Sequence, residues 1–152
     1  MGILVAAIAV LAAAGALVPP ILIRRNRDRL AAGILARGGA PPALLTPADR
    51  CIGTFRRVPG VLGLAGETIF FESRHEARRE FPLGEVRRAS SGNRMTTTGR
   101  RLLRSEVVTL VGSDGTVTEF LMPRASVYQW RQHLGAWAAK QKAAADVVRP
   151  GR

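Results

Sequence analysis

The pattern of apolar and polar positions divides the chain into an apolar opening and a mixed remainder. Residues 1–23 contain no charged side chain and are apolar on every helical face, which is typical of a helix in lipid rather than along an interface. About 20 residues at about 1.5 Å per residue cross a hydrocarbon core of about 30 Å. We therefore predict an uncleaved transmembrane anchor over residues 1–23. The alternatives are a cleaved signal peptide, disfavoured because no basic region precedes the apolar run, and a fully buried soluble helix.

Residues 24–48 are predicted to form a basic juxtamembrane helix and a linker. Helix formers continue to about Arg37, where Gly38-Gly39 and then Pro41-Pro42 prevent further helix. Residues 38–48 are typical of a partly extended linker, and Thr46–Asp49 could begin a brief helical turn.

Residues 49–142 change to short apolar runs between turn signals, a pattern that indicates six or seven short antiparallel strands. Pro59-Gly60 is interpreted as a turn, and Ser113-Asp114-Gly115 predicts a tight hairpin. Pro82 predicts that its strand lies at an edge or a bulge. The predicted strands are Ile52–Val58, Val61–Leu64, Thr68–Glu72, Glu80–Val86, Leu102–Val111 and Thr116–Met122.

The spacing of apolar residues changes after Pro123, from every second residue to the three-to-four-residue spacing of a helix. Val127, Trp130, Leu134 and Trp137 lie on one face of a helix predicted over residues 125–142, with Ser126 as a candidate N-cap. We expect this stripe to pack on the sheet. Residues 143–152 are predicted to be a frayed basic tail.

Strands closed by one C-terminal amphipathic helix with a central tryptophan resemble the pleckstrin-homology (PH) superfold, including GRAM-like and bacterial PH-like domains. The resemblance is carried by Gly53–Phe71, Phe81–Val86 and Val127–Trp130. It implies a lipid-surface or protein-binding module without enzymatic activity. It does not imply phosphoinositide recognition, because the loop Val58–Gly60 is too short to wrap an inositol phosphate. The predicted fold is a transmembrane α-helix plus a mainly-β PH-like barrel or sandwich of about seven antiparallel strands, closed by the C-terminal helix.

The net charge of +12 indicates an anionic partner, for which nucleic acid, an acidic protein and an anionic lipid surface are the candidates. An arginine-rich stretch directly after the apolar run favours a cytoplasmic location for the remainder, with the N-terminus outside. The single cysteine, Cys51, excludes an intramolecular disulfide and fits a reducing compartment. The candidate residues for binding an anionic surface are Arg24, Arg25, Arg27, Arg29, Arg56, Arg57, Arg87, Arg88, Arg94, Arg100, Arg101 and Arg104.

No catalytic, cofactor or metal site is predicted. His75 and His133 are isolated, and Cys51 is interpreted as a small core residue, so the three or four ligands of a metal site are not assembled. Phosphate-cradling glycine motifs and nucleophile motifs are absent from the sequence. Sequence-specific recognition of nucleic acid is disfavoured, because the aromatic residues occupy core-like positions and are not free to stack on bases. Non-specific attraction to phosphates is the remaining mode of nucleic-acid binding.

The sequence therefore predicts a non-enzymatic, membrane-anchored PH-like scaffold or adaptor at the inner leaflet of the plasma membrane. Its basic surface would bind anionic phospholipid headgroups or a membrane-protein partner. The alternative is an accessory subunit of a larger membrane complex, in which small residues of the apolar segment permit close helix packing. The basic residues could also serve only to solubilise the domain.

Overall fold

The computed structural model describes residues 22–37, 40–54 and 56–147. Within those residues the chain forms one antiparallel sheet of seven strands, in the order β4-β3-β2-β1-β7-β6-β5, curled into a half-barrel. Two helices and a short 3-10 turn, Leu83–Glu85, accompany the sheet. In chain order the elements are α1 (22–36), β1 (Leu44–Ile52), β2 (Arg56–Ala65), β3 (Thr68–Ser73), β4 (Arg79–Pro82), β5 (Val86–Gly92), β6 (Ser105–Gly112), β7 (Val117–Pro123) and α2 (Arg124–Val147).

The two halves of the sheet are joined by pairing of β1 with β7. Strands β1 to β4 form one meander and β5 to β7 a second, and Asp49–Cys51 pairs with Glu119–Leu121 to join them. The hairpin predicted at Ser113–Gly115 is confirmed, because β6 and β7 pair directly across it. Gly115 has φ +82°, a left-handed conformation that glycine adopts without steric cost.

The core lies between the inner face of the sheet and α2. Trp130 is fully buried, and its indole Nε1–H donates a hydrogen bond of 3.0 Å to the Thr46 hydroxyl on β1. Val127 and Leu134 are buried on the same helical stripe, so the packing predicted for that stripe is confirmed. The helix begins at Arg124, directly after β7, so the prediction of Ser126 as its N-cap is wrong.

Helix α1 packs on the outer face of β1 to β3. The Arg27 guanidinium forms an ion pair with Asp49 on β1, and Arg37, just after the helix, forms a bidentate pair with Glu72 on β3. Leu30 and Ile34 lie on the half-buried side of α1. The basic segment is therefore attached to the domain rather than extended away from it.

The predicted fold class is wrong, because none of the helices in residues 22–147 that the structure describes is long and apolar enough to cross a membrane. Helix α1 has charged side chains at five of the six positions from 24 to 29, and it contacts protein through Arg27. The anchor predicted over 1–23 lies, apart from its last two residues, outside the described residues. The sheet is a curled half-barrel, not a closed barrel or a sandwich.

The boundaries of the first two strands also differ from the prediction. The segment Leu44–Ile52 is a strand, so the helical turn predicted at Thr46–Asp49 is wrong. Pro59-Gly60, interpreted as a turn, lies inside β2. Pro59 is tolerated there because the pairing of β2 with β3 extends only over Gly60–Ala65, and its missing N–H breaks no bond to β3.

A candidate interface for an anionic surface

The connection between β5 and β6, residues 93–104, is a folded arm. The amide of Met95 donates to the Arg100 carbonyl at 2.9 Å, and that of Leu102 donates to the Asn93 carbonyl at 2.7 Å. Between these two bonds Arg94 and Arg101 form an antiparallel bridge. Residues 90–92 before it belong to β5, and the arm itself is held by these backbone hydrogen bonds.

Two apolar side chains hold this arm against the outer face of the sheet. Met95 and Leu102 are 4% and 8% exposed, and they form a second apolar cluster with Val107 on β6 and Leu121 on β7. Cys51 on β1 packs against the same cluster. The arm is therefore fixed on the sheet at two points of its length.

A buried carboxylate fastens the turn of the arm. Glu119 on β7 is 2% exposed and accepts hydrogen bonds from the Thr96 amide at 2.5 Å, from the Thr97 amide at 3.4 Å, and from the Thr97 hydroxyl. Carboxylates that accept several hydrogen bonds from backbone amides are strong anchors. Sequence reasoning missed Glu119, although a lone acidic residue within the apolar strand Thr116–Met122 was a usable signal.

Arg94 and Arg101 are directly opposed on the outward side of the arm. The hydrogen bonds flank this pair rather than joining it, and such non-hydrogen-bonded pairs bring side chains closest together. Both side chains are exposed. Like charges directly opposite one another destabilise a sheet. The arm therefore places two arginine side chains directly opposite each other, at a cost in stability.

A groove beside the arm collects three further members of the predicted basic set. Arg27 of α1, Arg57 at the start of β2 and Arg104 at the end of the arm line a groove of about 290 Å³. Asp49 lies in the same groove and is paired with Arg27, which leaves Arg57 and Arg104 as its positive groups without a carboxylate partner among the described residues. The groove connects the arm to the first hairpin.

The twelve predicted arginines do not form one patch. Arg24, Arg25 and Arg29 are exposed on α1, whereas Arg27 is half-buried. Arg87 and Arg88 lie at the start of β5, in a groove with Trp137 and Gln141 of α2. The remaining six, which are Arg56 and Arg57 on β2 and Arg94, Arg100, Arg101 and Arg104 on the arm, are exposed. Arg56 lies opposite Ile52, which packs on the inner core, whereas Arg57 lies opposite Cys51 on the outer face. We therefore call Arg57 and the four arginines of the arm the arm face.

The arm face lacks internal counter-charges because the carboxylates pair elsewhere. Among the described residues no carboxylate lies within 4.0 Å of an arm-face guanidinium. Glu76 is bound by Arg50, and this hydrogen bond lowers the pKa of Glu76 below its usual range. Glu72 is shared by Arg37 and Arg78, and Glu106 by Arg124 and Arg131.

The residues considered for chemistry are separated in the structure. His75 follows β3, where its amide donates to the Ser73 hydroxyl, and His133 is exposed on α2. Burial raises the pKa of the Cys51 thiol to about 11, which opposes the thiolate form. No group of three or more metal-ligating side chains occurs in the part of the chain that the structure describes.

Comparison with known proteins identifies no family. No family model matches the chain, and no curated protein matches it. Among solved structures it is similar to the crystal structure of the C-terminal domain of an unknown protein from Leishmania infantum, with a TM-score of 0.50 and 8% identity over 64% of this chain and 84% of that chain. At this identity the likeness concerns the fold alone.

Proposed function

We propose that this protein is a non-enzymatic module that binds anionic phospholipid surfaces through the arm face. The observation that carries the proposal is the opposed pair Arg94 and Arg101 on the folded arm, since neither arginine has a carboxylate partner among the described residues. An external anion would relieve the repulsion within this pair. Binding would therefore recover the stability that the arrangement costs.

The form of the surface favours a membrane over a small anion. The arm-face side chains are exposed rather than gathered into an enclosed pocket. Each basic group near an anionic leaflet contributes about 1 kcal/mol, so several exposed arginines together give useful affinity without a specific site.

The arrangement of aromatic residues supports lipid over nucleic acid as the anionic partner. Binding of single-stranded nucleic acid relies on exposed aromatic side chains on which bases stack. In the described parts of the chain, Tyr128 is the large aromatic residue with high exposure, and it lies on α2 rather than on the arm. Phe70 is buried, with the Arg78 guanidinium 4.3 Å from its ring centroid. The proposed role is that of a scaffold or adaptor at the cytoplasmic face of the membrane, and it requires no transmembrane segment.

Vesicle sedimentation with the full-length chain tests the proposal. We expect binding to vesicles of phosphatidylcholine mixed with phosphatidylglycerol, and a loss of that binding between about 0.1 M and about 1 M salt, as the Debye length falls from about 10 Å to about 3 Å. Pure phosphatidylcholine vesicles report any partitioning that does not depend on charge. Equal binding to both vesicle types at both salt concentrations would overturn the proposal.

Two double variants of equal net charge test whether vesicle binding depends on the arm face or only on the overall positive charge of the protein. Arg100→Glu with Arg101→Glu, and Arg87→Glu with Arg88→Glu, each lower the net charge from +12 to +8, because each substitution removes two positive units. The arm-face proposal predicts a large loss of binding for the first variant and a small loss for the second. Equal losses would show that charge alone, and not the arm, determines binding. Salt-insensitive capture of a membrane protein would favour the accessory-subunit alternative.

A further inference from the structure

The arm carries an apolar side chain that the fold keeps in solvent. Leu103 is 85% exposed, the highest value among the large apolar side chains of the described residues. Its neighbour Leu102 is 8% exposed and packs on Val107 and Leu121. The two leucines are consecutive, so anchoring Leu102 in the sheet directs Leu103 away from it.

The fixed shape of the arm prevents Leu103 from turning inward. Met95 and Leu102 occupy the apolar cluster on the sheet, and Glu119 binds the amides of Thr96 and Thr97. Rotation of Leu103 into the cluster would displace Leu102 and break its amide bond to the Asn93 carbonyl. The exposure of Leu103 is therefore built into the folded arm.

The surroundings of Leu103 distinguish it from an ordinary exposed leucine. Isolated surface leucines are common and require no explanation. This one lies within three residues of Arg100, Arg101 and Arg104, all exposed and without carboxylate partners among the described residues. An apolar side chain among cationic ones is the composition of segments that bind the membrane interface, where the cations contact phosphate and the apolar group enters the acyl boundary.

We infer that Leu103 inserts into the bilayer interface when the arm face binds an anionic membrane, and that it sets the orientation of the domain there. This inference rests on the proposed function and adds a penetrating residue to it. The aliphatic stems of the flanking arginines can lie along the apolar boundary while their guanidinium groups stay at the phosphates. The chemistry favours lipid over a protein pocket, since a pocket receiving Leu103 would also have to desolvate three charged neighbours.

The first test is Leu103→Ser, which keeps every charge. Removing the apolar contact should weaken partitioning into phosphatidylcholine–phosphatidylglycerol vesicles by about tenfold, while leaving the salt dependence unchanged. Leu35→Ser on α1 is a matched control, because Leu35 is 59% exposed and lies outside the arm. Equal binding by the Leu103→Ser variant and the wild type would overturn the inference.

The second test reports insertion directly. An environment-sensitive nitrobenzoxadiazole probe is attached to Leu103→Cys in a Cys51→Ala background, with Tyr128→Cys on α2 as the control position. On anionic vesicles the probe at position 103 should shift to the blue and be quenched by spin-labelled lipid, whereas the probe at position 128 should not respond. Binding that is salt-sensitive and lost in the arm variant, with no response at position 103, overturns insertion and leaves the proposed function standing. Failure of the wild type to bind anionic vesicles overturns both.

Discussion

The substitution Glu119→Gln distinguishes the contribution of the folded arm to membrane binding from the contribution of net charge. The wild-type carboxylate is buried under the arm and accepts hydrogen bonds from the Thr96 amide, the Thr97 amide and the Thr97 hydroxyl. Glutamine has the same shape, and its oxygen can face the two amides while its NH2 group donates to the Thr97 hydroxyl, but all of these bonds are then made by a neutral group. The substitution therefore weakens the attachment of the arm without creating a cavity.

The expected loss in the free energy that attaches the arm to the sheet follows from these contacts. Hydrogen bonds to a charged group contribute about 1.5–3 kcal/mol each and neutral ones about 0.5–1.5 kcal/mol, so the substitution weakens each bond between residue 119 and the arm by about 1 kcal/mol. We expect a loss of about 2 kcal/mol, concentrated in the arm rather than spread over the sheet. Glu119→Ala should cost more, because it leaves both amides without an acceptor from the protein.

Two measurements report this loss. Hydrogen exchange of the Met95, Thr96 and Leu102 amides should accelerate, while exchange within β2 and β3 stays unchanged. Vesicle binding should weaken although the net charge rises from +12 to +13 on loss of one negative unit. Simple electrostatics predicts the opposite sign, since a more basic protein should bind an anionic surface more tightly.

Glu85→Gln is the matched control for this prediction. Glu85 is exposed, and its substitution produces the same change in net charge. It should leave arm exchange unchanged and leave binding equal or slightly tighter. The reasoning is refuted if Glu119→Gln behaves like Glu85→Gln in both assays.

Three further predictions concern stability. Thr46→Val removes the acceptor of the buried Trp130 indole N–H and should lower the free energy of unfolding by about 1–3 kcal/mol in denaturant titrations. Gly63→Ala should cost about 1–3 kcal/mol in the same assay, because a Cβ at this position would overlap the Phe70 ring across the strand pair. Glu76→Gln should cost about 1–3 kcal/mol at neutral pH, an effect that fades below the ordinary carboxyl pKa of 4.5, because the lowered pKa gives stability that is lost as the pH falls through the native-state value.

The controls for these variants come from the same chain. Gly135→Ala on α2 has open space around the new Cβ and should stabilise the helix by about 0.5–1 kcal/mol, in contrast to Gly63→Ala. Thr98→Val, in a half-exposed part of the arm, should have little effect on global unfolding compared with Thr46→Val. An unchanged midpoint for Thr46→Val would contradict the role of the indole bond. A pH-independent loss for Glu76→Gln would contradict its ion pair with arginine.

The elements predicted correctly were those whose local signals agree with their tertiary setting. Trp130 and Leu134 follow the helical period and face the core, and the turn at Ser113–Gly115 has the residues that a tight hairpin requires. Strand β1 was missed because Thr46 and Asp49 favour turns and caps. In the structure Trp130 and Arg27 satisfy these two side chains, and such partners distant in sequence override local preference.

The arm could be predicted only in part. Its arginines were visible in the sequence, but Met95 and Leu102 are surrounded by polar residues and show no strand or helix period. Their burial depends on the outer face of β6 and β7, which no local pattern describes. The grouping of Arg57 with Arg104 likewise depends on the pairing of β1 with β7.

The half-barrel has two terminal strands, β4 and β5, each of which is paired on one side only within the described chain. Free strand edges recruit further strands and can lead to fibrils. Here β4 is four residues long and ends at Pro82, which has no amide hydrogen to offer, while β5 is distorted between Val86 and Arg88. These features should discourage stacking of neighbouring molecules, even where a charged surface concentrates the protein. Substituting Pro82 with a β-branched residue should make growth of ordered aggregates from that side easier.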